Sequence, residues 1–462
     1  MTGCVVCLAW TLALASAPAA DRVEDRADSR LTCREALAVA SQQNGRLRAS
    51  GEQVEQAQAS REEKRGLYFP TLSALASYGH MNDRLFVDLN GLSPLLHQLN
   101  PAVPIPPLTA TVLDNDPYRV SLNARWTIFA GGQIRAANRA AEAGVNAAKQ
   151  EHLETEHGLV TEVVTRYFDR RLAADVLEVR RASLEDLNRH LEDARRLKKE
   201  GQIARTDELH AEVARAEADR DFKKARRDVE LASIALASTL GSDLNVTPTT
   251  PLVLIADLEP RETFLDKAGG NPSVARLGAL RDEAHQGVVA ARGELFPSVS
   301  LFGTYELSDR GTNATVDPKW IVGALARWEL FDGFARVNKR RAAQHSESAL
   351  ALQQDWAQRN VSTLIDQRYD EYRSALEQYQ ALETAQALAQ ESLRSESKAF
   401  EAGLGTSLGV VDAQLSLSRV LVGRLTALHD LDVSVARLLE ASGHSERFLT
   451  YLERGTPGGE PR

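Results

Sequence analysis

The sequence predicts an α+β membrane protein made of two structural repeats, each carrying a β-hairpin and long coiled-coil helices. Three observations predict it. A strand-to-helix joint occurs twice: Trp126 matches Trp328, Phe129 matches Phe331, Gly131 matches Gly333 and Arg139 matches Arg341, all 202 residues apart. A second stretch also recurs, Leu67-Tyr68-Phe69-Pro70-Thr71-Leu72-Ser73 matching Glu294-Leu295-Phe296-Pro297-Ser298-Val299-Ser300 at an offset of 227. Finally, strand-like alternation fills the stretches before the joints, and helical patterns without proline follow them.

The chain has 462 residues, of which 43% are apolar and 6% aromatic, and a net charge of -9. That balance argues against nucleic acid as a main partner. Cys4 to Ala15 is an apolar run followed by Ala17-Pro18-Ala19-Ala20 and a charged stretch from Asp21. It reads as a signal peptide over residues 1–20, cut after Ala19 or Ala20, although no Lys or Arg precedes it. The run is too short to span a bilayer, and no later segment reaches the roughly 20 apolar residues a transmembrane helix needs. Export of the mature chain is the expectation. Cys4 and Cys7 fall in the leader, so Cys33 is the only mature cysteine and no intrachain disulfide is expected.

The first repeat is expected over 21–241. Thr32-Cys33-Arg34-Glu35 has capping-box spacing and predicts a helix start. Asn44-Gly45 interrupts that helix, and a second runs from about Arg46 to Arg65, ended by Gly66 and Pro70. A hairpin over 67–129 follows. Its first strand puts Leu72, Ala74, Ala76 and Tyr78 on one face, with Leu75 out of pattern. Residues 81–117 read as loop, with five prolines between Pro94 and Pro107. The returning strand alternates Tyr118, Val120, Leu122, Ala124, Trp126 and Ile128 with Arg119, Ser121, Asn123, Arg125 and Thr127. A long helix over 132–199 follows Gly131-Gly132, and Leu184, Leu187, Leu191 and Ala194 carry coiled-coil spacing. At about 1.5 Å per residue it is roughly 100 Å long. Gly201 breaks it, and Thr206 and Asp207 restart a helix over 206–240 with Phe222, Ala225, Val229, Ala232 and Leu236 on its stripe.

Residues 242–270, with Pro248, Pro251 and Pro260, read as a linker. The second repeat is expected over 271–443, since Asn271-Pro272 matches Asn44-Gly45 at 227 and Gly443 matches Gly241 at 202. A helix reaches Gly293. A hairpin over 297–331 places Val299, Leu301, Gly303, Tyr305 and Leu307, then Trp320, Val322, Ala324, Ala326, Trp328 and Leu330, on apolar faces. A short loop lies around Asp309 to Asp317. A helix over 334–402, breaks at Gly403, Gly405 and Gly409, and a helix over 408–441 striped by Leu421, Leu425, Leu428, Leu431, Val435 and Leu438 complete it. Residues 444–462 read as a disordered tail.

Alternating segments of about ten residues with aromatic margins mark transmembrane barrel strands. Four strands cannot stand alone in lipid, because their edge N–H and C=O groups would lack partners. Several copies must then share one barrel. Two copies give eight strands, a bore filled by side chains. Three give twelve, with room for a water-filled lumen lined by Arg119, Asn123, Arg125, Arg327 and Glu329. The membrane-interface aromatics would be Tyr78, Tyr118, Trp126, Tyr305, Trp320 and Trp328.

The chain resembles the TolC-type outer membrane efflux protein family, also called outer membrane factors. The resemblance rests on Phe69-Pro70 and Phe296-Pro297, on Trp126-x-x-Phe129 and Trp328-x-Leu330-Phe331-Asp332-Gly333, and on two helix tips. The tips are Gly201-x(4)-Thr206-Asp207-x-Leu209-x-Ala211 and Gly403-x(7)-Val411-Asp412-Ala413. It covers nearly the whole mature chain in order, and the doubled arrangement, not any one motif, is specific. It implies a homotrimer with a shared 12-stranded outer-membrane β-barrel above a periplasmic α-helical tunnel. It also implies partnership with a periplasmic adaptor (membrane fusion) protein and an inner-membrane transporter, in efflux or type I secretion. The adaptor-docking tips would be Gly201, Ile203, Gly403, Leu404 and Gly405.

Asp207 reads either as a first-turn carboxylate with Thr206 as cap, or, with Thr206, as part of a pore gate whose carboxylate ring admits cations. Asp412 has the same two readings. Family members often carry a second carboxylate three residues before this position; here Gly409 stands there, which thins any ring. Arg195-Arg196-Leu197-Lys198-Lys199 reads as a solvated face or as a meeting place for acidic adaptor residues. Enzyme, metal and cofactor readings fail. His152 and His157 are five apart, His210-Ala211-Glu212 lacks a Cys pair, and Gly403-x-Gly405-x-x-x-Gly409 misses dinucleotide spacing. No nucleophile elbow is present. The competing reading is a soluble periplasmic coiled-coil scaffold, disfavoured by aromatic-rimmed apolar faces that a soluble hairpin does not need.

Overall fold

Short-range hydrogen bonds start the first helix. Glu35 donates its amide to Thr32 Oγ1 at 3.2 Å and accepts the Thr32 amide at 2.7 Å, closing a capping box. The computed structural model describes residues 28–99, 109–242, 245–312 and 318–458. The expected leader and residues 100–108 lie outside the described residues. In chain order the elements are β1 (Asp28–Leu31), α1 (Cys33–Gln43), α2 (Gly45–Arg65), β2 (Thr71–Tyr78), β3 (Leu85–Asp88), α3 (Ser93–Leu99) and β4 (Thr109–Ala130). Then come α4 (Gln133–Lys199), α5 (Arg205–Leu240), β5 (Asn245–Pro248), β6 (Val253–Leu254), α6 (Arg261–Asp266) and α7 (Pro272–Gly293). The chain continues as β7 (Ser298–Thr312), β8 (Trp320–Arg327), α8 (Ala335–Glu401), α9 (Ser407–Ala441), α10 (Phe448–Arg454) and β9 (Thr456–Pro457).

The main sheet is antiparallel in the order β2-β4-β7-β8, with β3 added beside the start of β4. Pairing fixes which side chains share a face, because paired residues lie on one side. Leu72, Ala124, Gly303 and Val322 form one row; Ala74, Leu122, Tyr305 and Trp320 form the next. These rows make an apolar face that is largely exposed, Leu72 at 73% and Val322 at 70%. The alternation expected from the sequence holds in these rows, with three departures. β7 bulges at Leu307, since Glu306 pairs with Ser121 and Ser308 with Val120. The expected loop of residues 81–117 instead supplies β3, α3 and the first part of β4. β8 ends at Arg327, so Trp328, Glu329 and Leu330 lie past the strand.

The core sits midway along the long helices. Val163, Val164, Tyr167 and Phe168 of α4 meet Ile365, Tyr372 and Tyr379 of α8 and Leu428, Leu431, Val435 and Leu438 of α9. Two expectations are corrected here. The stretch 242–270, read as a linker, is part of the core: Val246, Leu252, Val253, Ile255 and Phe264 are buried, β5 pairs in parallel with β1, and β6 pairs with β9. The segment from residue 444, read as a disordered tail, is ordered through Gly458. Phe448 and Tyr451 are buried, and the Gly458 amide donates to Leu252 O at 3.1 Å. Their apolar side chains give these short pieces something to bury, which outweighs their prolines and glycines.

The two offsets in the sequence recur in the joints. Asn44 Nδ2 donates to Thr239 O at 2.9 Å, and Asn271 Nδ2 donates to Ala441 O at 2.8 Å. Each asparagine also caps the helix it precedes, α2 or α7. Trp126 Nε1 donates to Tyr68 O at 2.9 Å and Trp328 Nε1 to Leu295 O at 3.2 Å. Gly131, at the turn from β4 to α4, has φ +58°, and a Cβ there would lie 2.2 Å from Gly293 O. Only glycine fits.

Candidate functional site

The second face of the sheet is polar and tied by its own hydrogen bonds. Thr71, Ser73 and Ser77 of β2 pair with Arg125, Asn123 and Arg119 of β4. Across β4 and β7, Thr304 Oγ1 donates to Asn123 Oδ1 at 3.0 Å, Thr127 and Ser300 hydroxyls meet at 3.2 Å, and Arg119 Nε lies 2.6 Å from Glu306 Oε1. Arg327 shares this face through its pairing with Ser298. Thus Arg119, Asn123, Arg125 and Arg327 share one face, spread along the sheet from the Ser77 row to the Ser298 row, whereas Glu329 is exposed past the end of β8. Sequence reasoning missed Thr304, Glu306 and Phe302, although each alternates with the apolar residues of β7. Phe302 lies over Gly323, where an added Cβ would meet the ring at 2.8 Å.

Aromatic side chains bound the apolar face. Tyr78 pairs with Tyr118 at one end, Trp126 stands at the other, and Tyr305 pairs with Trp320 in the row of Leu122 between them, where β8 begins. Trp328 follows β8 at the Trp126 end, fixed by its bond to Leu295. Eight residues separate Tyr118 from Trp126, about 26 Å along a strand. At the 35–45° tilt of such strands this spans about 20 Å of the roughly 25 Å apolar band of outer-membrane barrels.

At the opposite end of the long helices, two turns form matching tips. Gly201 (φ +75°) and Gly403 (φ +71°) close α4 and α8. In each, the next amide reaches back: Gln202 N to Leu197 O and Leu404 N to Ala399 O, both 2.9 Å. A Cβ on Gly405 would lie 2.9 Å from Phe400 N. Leu404 is 87% exposed, whereas Ile203 packs on a cluster of Leu191, Ala194, Leu197, Ala211, Phe400 and Val410.

The gate residues separate. Helix α5 starts at Arg205 with Ala204 in the cap position and no side-chain cap. Thr206 is therefore an exposed second residue of the helix and not its cap, because the turn closed by Gly201 sets the start one residue earlier than expected. Asp207 is half-buried, and its Oδ1 accepts the Ser407 amide at 3.3 Å, which ties the first tip to the first turn of α9. Asp412 is exposed. Two further residues complete the joint. Thr406 caps α9 by accepting the Gly409 amide at 3.2 Å. His190 meets Ser407 Oγ at 2.8 Å and leans on the Phe400 ring; its burial lowers its pKa. Thr406 four residues before Val410 was a legible cap signal; His190 carried none. The basic run beside the tip is partly engaged: Lys198 and Arg205 both bind Glu208, and Arg195 binds Glu212 at 3.1 Å.

Among the described residues no group of three or more His, Cys, Asp or Glu could hold a metal ion, and no helix is long and apolar enough to cross a membrane.

Comparison with known proteins defines the class. The family described as outer membrane efflux protein matches residues 36–242 and 267–444. The outer membrane efflux protein BepC of Brucella suis biovar 1 (strain 1330) is 24% identical over 327 residues, 70% of this chain and 72% of its own. The outer membrane protein TolC of Vibrio cholerae is 24% identical over 313 residues, 66% of this chain and 72% of its own. The crystal structure of VceC from Vibrio cholerae superposes with a TM-score of 0.74 at 17% identity, covering 89% of this chain and 96% of that one. The chain belongs to the outer membrane efflux protein family, of the TolC type. Its place is the outer membrane, with the helical part extending into the periplasm, and its relatives are channel proteins rather than enzymes.

Proposed function

We propose that three copies of this chain form a 12-stranded outer-membrane channel on a helical tunnel, with each copy supplying two related repeats. The channel passively conducts cargo received from a periplasmic adaptor and an inner-membrane transporter, in efflux or type I secretion. The observation that carries this reading is the main sheet. One face is apolar and exposed, bounded by Tyr78, Tyr118 and Trp126 and carrying Tyr305 and Trp320; the other holds Arg119, Asn123, Arg125 and Arg327. β2 and β8 each have a neighbour on one side only among the described residues. An open edge is untenable in lipid, so β8 of one copy pairs with β2 of the next until the barrel closes. A soluble scaffold would leave the apolar face in water.

At the periplasmic end Asp412 is the carboxylate free to face the bore, with Asp207 bound on one oxygen to α9. The exposed Leu404 and the turns at Gly201, Ile203, Gly403 and Gly405 are the surface offered to the adaptor. The test is conductance of the purified protein in planar lipid bilayers. We expect channels that prefer cations, and a weaker preference in Asp412→Asn combined with Asp207→Asn. Absence of channels would sink the conduit, and unchanged selectivity in the double variant would sink the gate assignment alone.

A further inference from the structure

The polar face of the main sheet carries an apolar strip that a polar lumen does not call for. Pairing sets Ser298, Ser300, Phe302 and Thr304 of β7 opposite Arg327, Leu325, Gly323 and Ile321 of β8. All eight lie on the face of Arg125 and Asn123. β8 is therefore apolar on both sides, with Val322 and Ala324 on one and Ile321 and Leu325 on the other. Gly323 between them has no side chain, and the Phe302 ring fills its place; a Cβ there would lie 2.8 Å from Phe302 Cζ. Ile321, Phe302 and Leu325 thus form one strip, about 13 Å from end to end. All three are exposed. Leu75, the residue out of pattern in β2, pairs with Ser121 on this same face and is also exposed.

An aromatic ring over a strand glycine is a packing device in its own right. It accounts for Phe302 but not for Ile321 or Leu325. The interior of a water-filled barrel is polar, and apolar surface left in water forgoes about 25 cal/mol per Å² that the apolar body of a ligand would recover. The charge beside the strip is also unbalanced. Arg119 is held by Glu306 at 2.6 Å. Arg125, by contrast, pairs with Phe302 across the strands, and Arg327 stands one same-face step beyond Leu325, about 7 Å. Neither of these two side chains has a hydrogen-bond or ion-pair partner among the described residues. No acid occupies the rows of Phe302, Ser300 or Thr304 on this face. An apolar strip beside two uncompensated guanidinium groups is the complement of a molecule with an apolar body and one anionic head.

We propose that the β7–β8 part of the lumen face is a binding site for amphipathic organic anions. Ile321, Phe302 and Leu325 hold the apolar body, and Arg125 and Arg327 hold the carboxylate or sulfonate. The proposal rests on the multi-copy channel described above, in which this face lines the bore, and gives that bore a chemical preference of its own. Three copies supply three such sites. Where β8 meets β2 of the next copy, Leu75 of that copy lengthens the strip across the seam. A molecule of this class is retained at the barrel wall, whereas small inorganic ions pass.

The experiment is single-channel recording of the full chain in phosphatidylcholine bilayers, which supply no anionic lipid. Three probes are added to each side in turn: 2-naphthalenesulfonate, methanesulfonate (the same charge without the rings) and 1-naphthylmethylammonium (the rings with the opposite charge). We expect transient blocks from 2-naphthalenesulfonate that outlast those of the other two. Their residence time should fall about tenfold in Ile321→Thr combined with Leu325→Thr, and about tenfold in Arg125→Gln combined with Arg327→Gln. Threonine keeps the branched shape that strands favour, and Leu325→Thr alone is a milder form of the first variant. Channels that all three probes block alike would overturn the site and leave the conduit standing. So would a block that survives the threonine substitutions, the result expected if charge alone binds or if side chains of a neighbouring copy cover the strip. Absence of channels from the unaltered protein would overturn both.

Discussion

Asp207 and Thr406 lie on different tips, and both hold the first turn of α9. Asp207 accepts the Ser407 amide and Thr406 accepts the Gly409 amide. Helix N-terminal amides lack partners within the helix, so each acceptor replaces a water. Thr406→Ala should cost about 1 kcal/mol at this tip, seen as faster hydrogen exchange of the amides opening α9. Asp412→Ala should leave that exchange unchanged, since its side chain is exposed. The sequence marked both carboxylates but not their difference, because the Asp207 partner is 200 residues away. A second residue-scale prediction concerns His429. Its burial disfavours the charge, but Asp169 at 2.8 Å and Asp430 at 3.0 Å push its pKa up to about 9. The unfolded value is about 6.5. The ring's contribution to stability is thus complete below about pH 6.5 and is lost as pH rises through about 9. The urea midpoint should fall between pH 7 and 9.5, and fall less in His429→Gln. Equal slopes in the two proteins would contradict the assignment.

At the scale of elements, the long helices and the four strands were legible, and the pieces between them were not. A helix of 67 residues advertises itself through unbroken periodicity, and α4 and α8 both have that length. The strands advertise themselves through alternation, until a bulge such as Leu307 spoils the count. Residues 242–270 and the segment after Gly443 failed for another reason. Their elements are two to seven residues long, too short for a period, and their burial depends on Leu428 and Val435 arriving from elsewhere. The strand-to-helix turns give the prediction at this scale. Gly131 and Gly333 both have positive φ, which costs a side chain about 1–2 kcal/mol. Only at Gly131 would a Cβ also strike backbone, at Gly293 O, whereas Gly333 has open space within its own chain. Gly131→Ala should lower the melting temperature of the detergent-solubilised protein clearly more than Gly333→Ala. Equal losses would show that the close approach to Gly293 is unimportant.

At the scale of the whole molecule, one chain carries features that a single copy cannot satisfy. Among the described residues the main sheet has an exposed apolar face and two open edges, and α5 carries an uncovered apolar stripe. Monomeric soluble proteins rarely expose contiguous apolar surface on this scale. Lipid answers the first feature, and further copies answer the other two. The sequence pointed to this through its arithmetic, since four strands are too few to close a barrel. It could not display which helix faces lack a cover, because α5 and α9 carry nearly the same stripe and differ only in what packs against them.

The most direct test of a barrel shared between copies is the native mass of the detergent-solubilised protein, corrected for bound detergent. The expected result is a single species of three chains, near three times the 50.6 kDa of the full chain less its leader. A homogeneous one-chain species that still partitions into the outer membrane would contradict it.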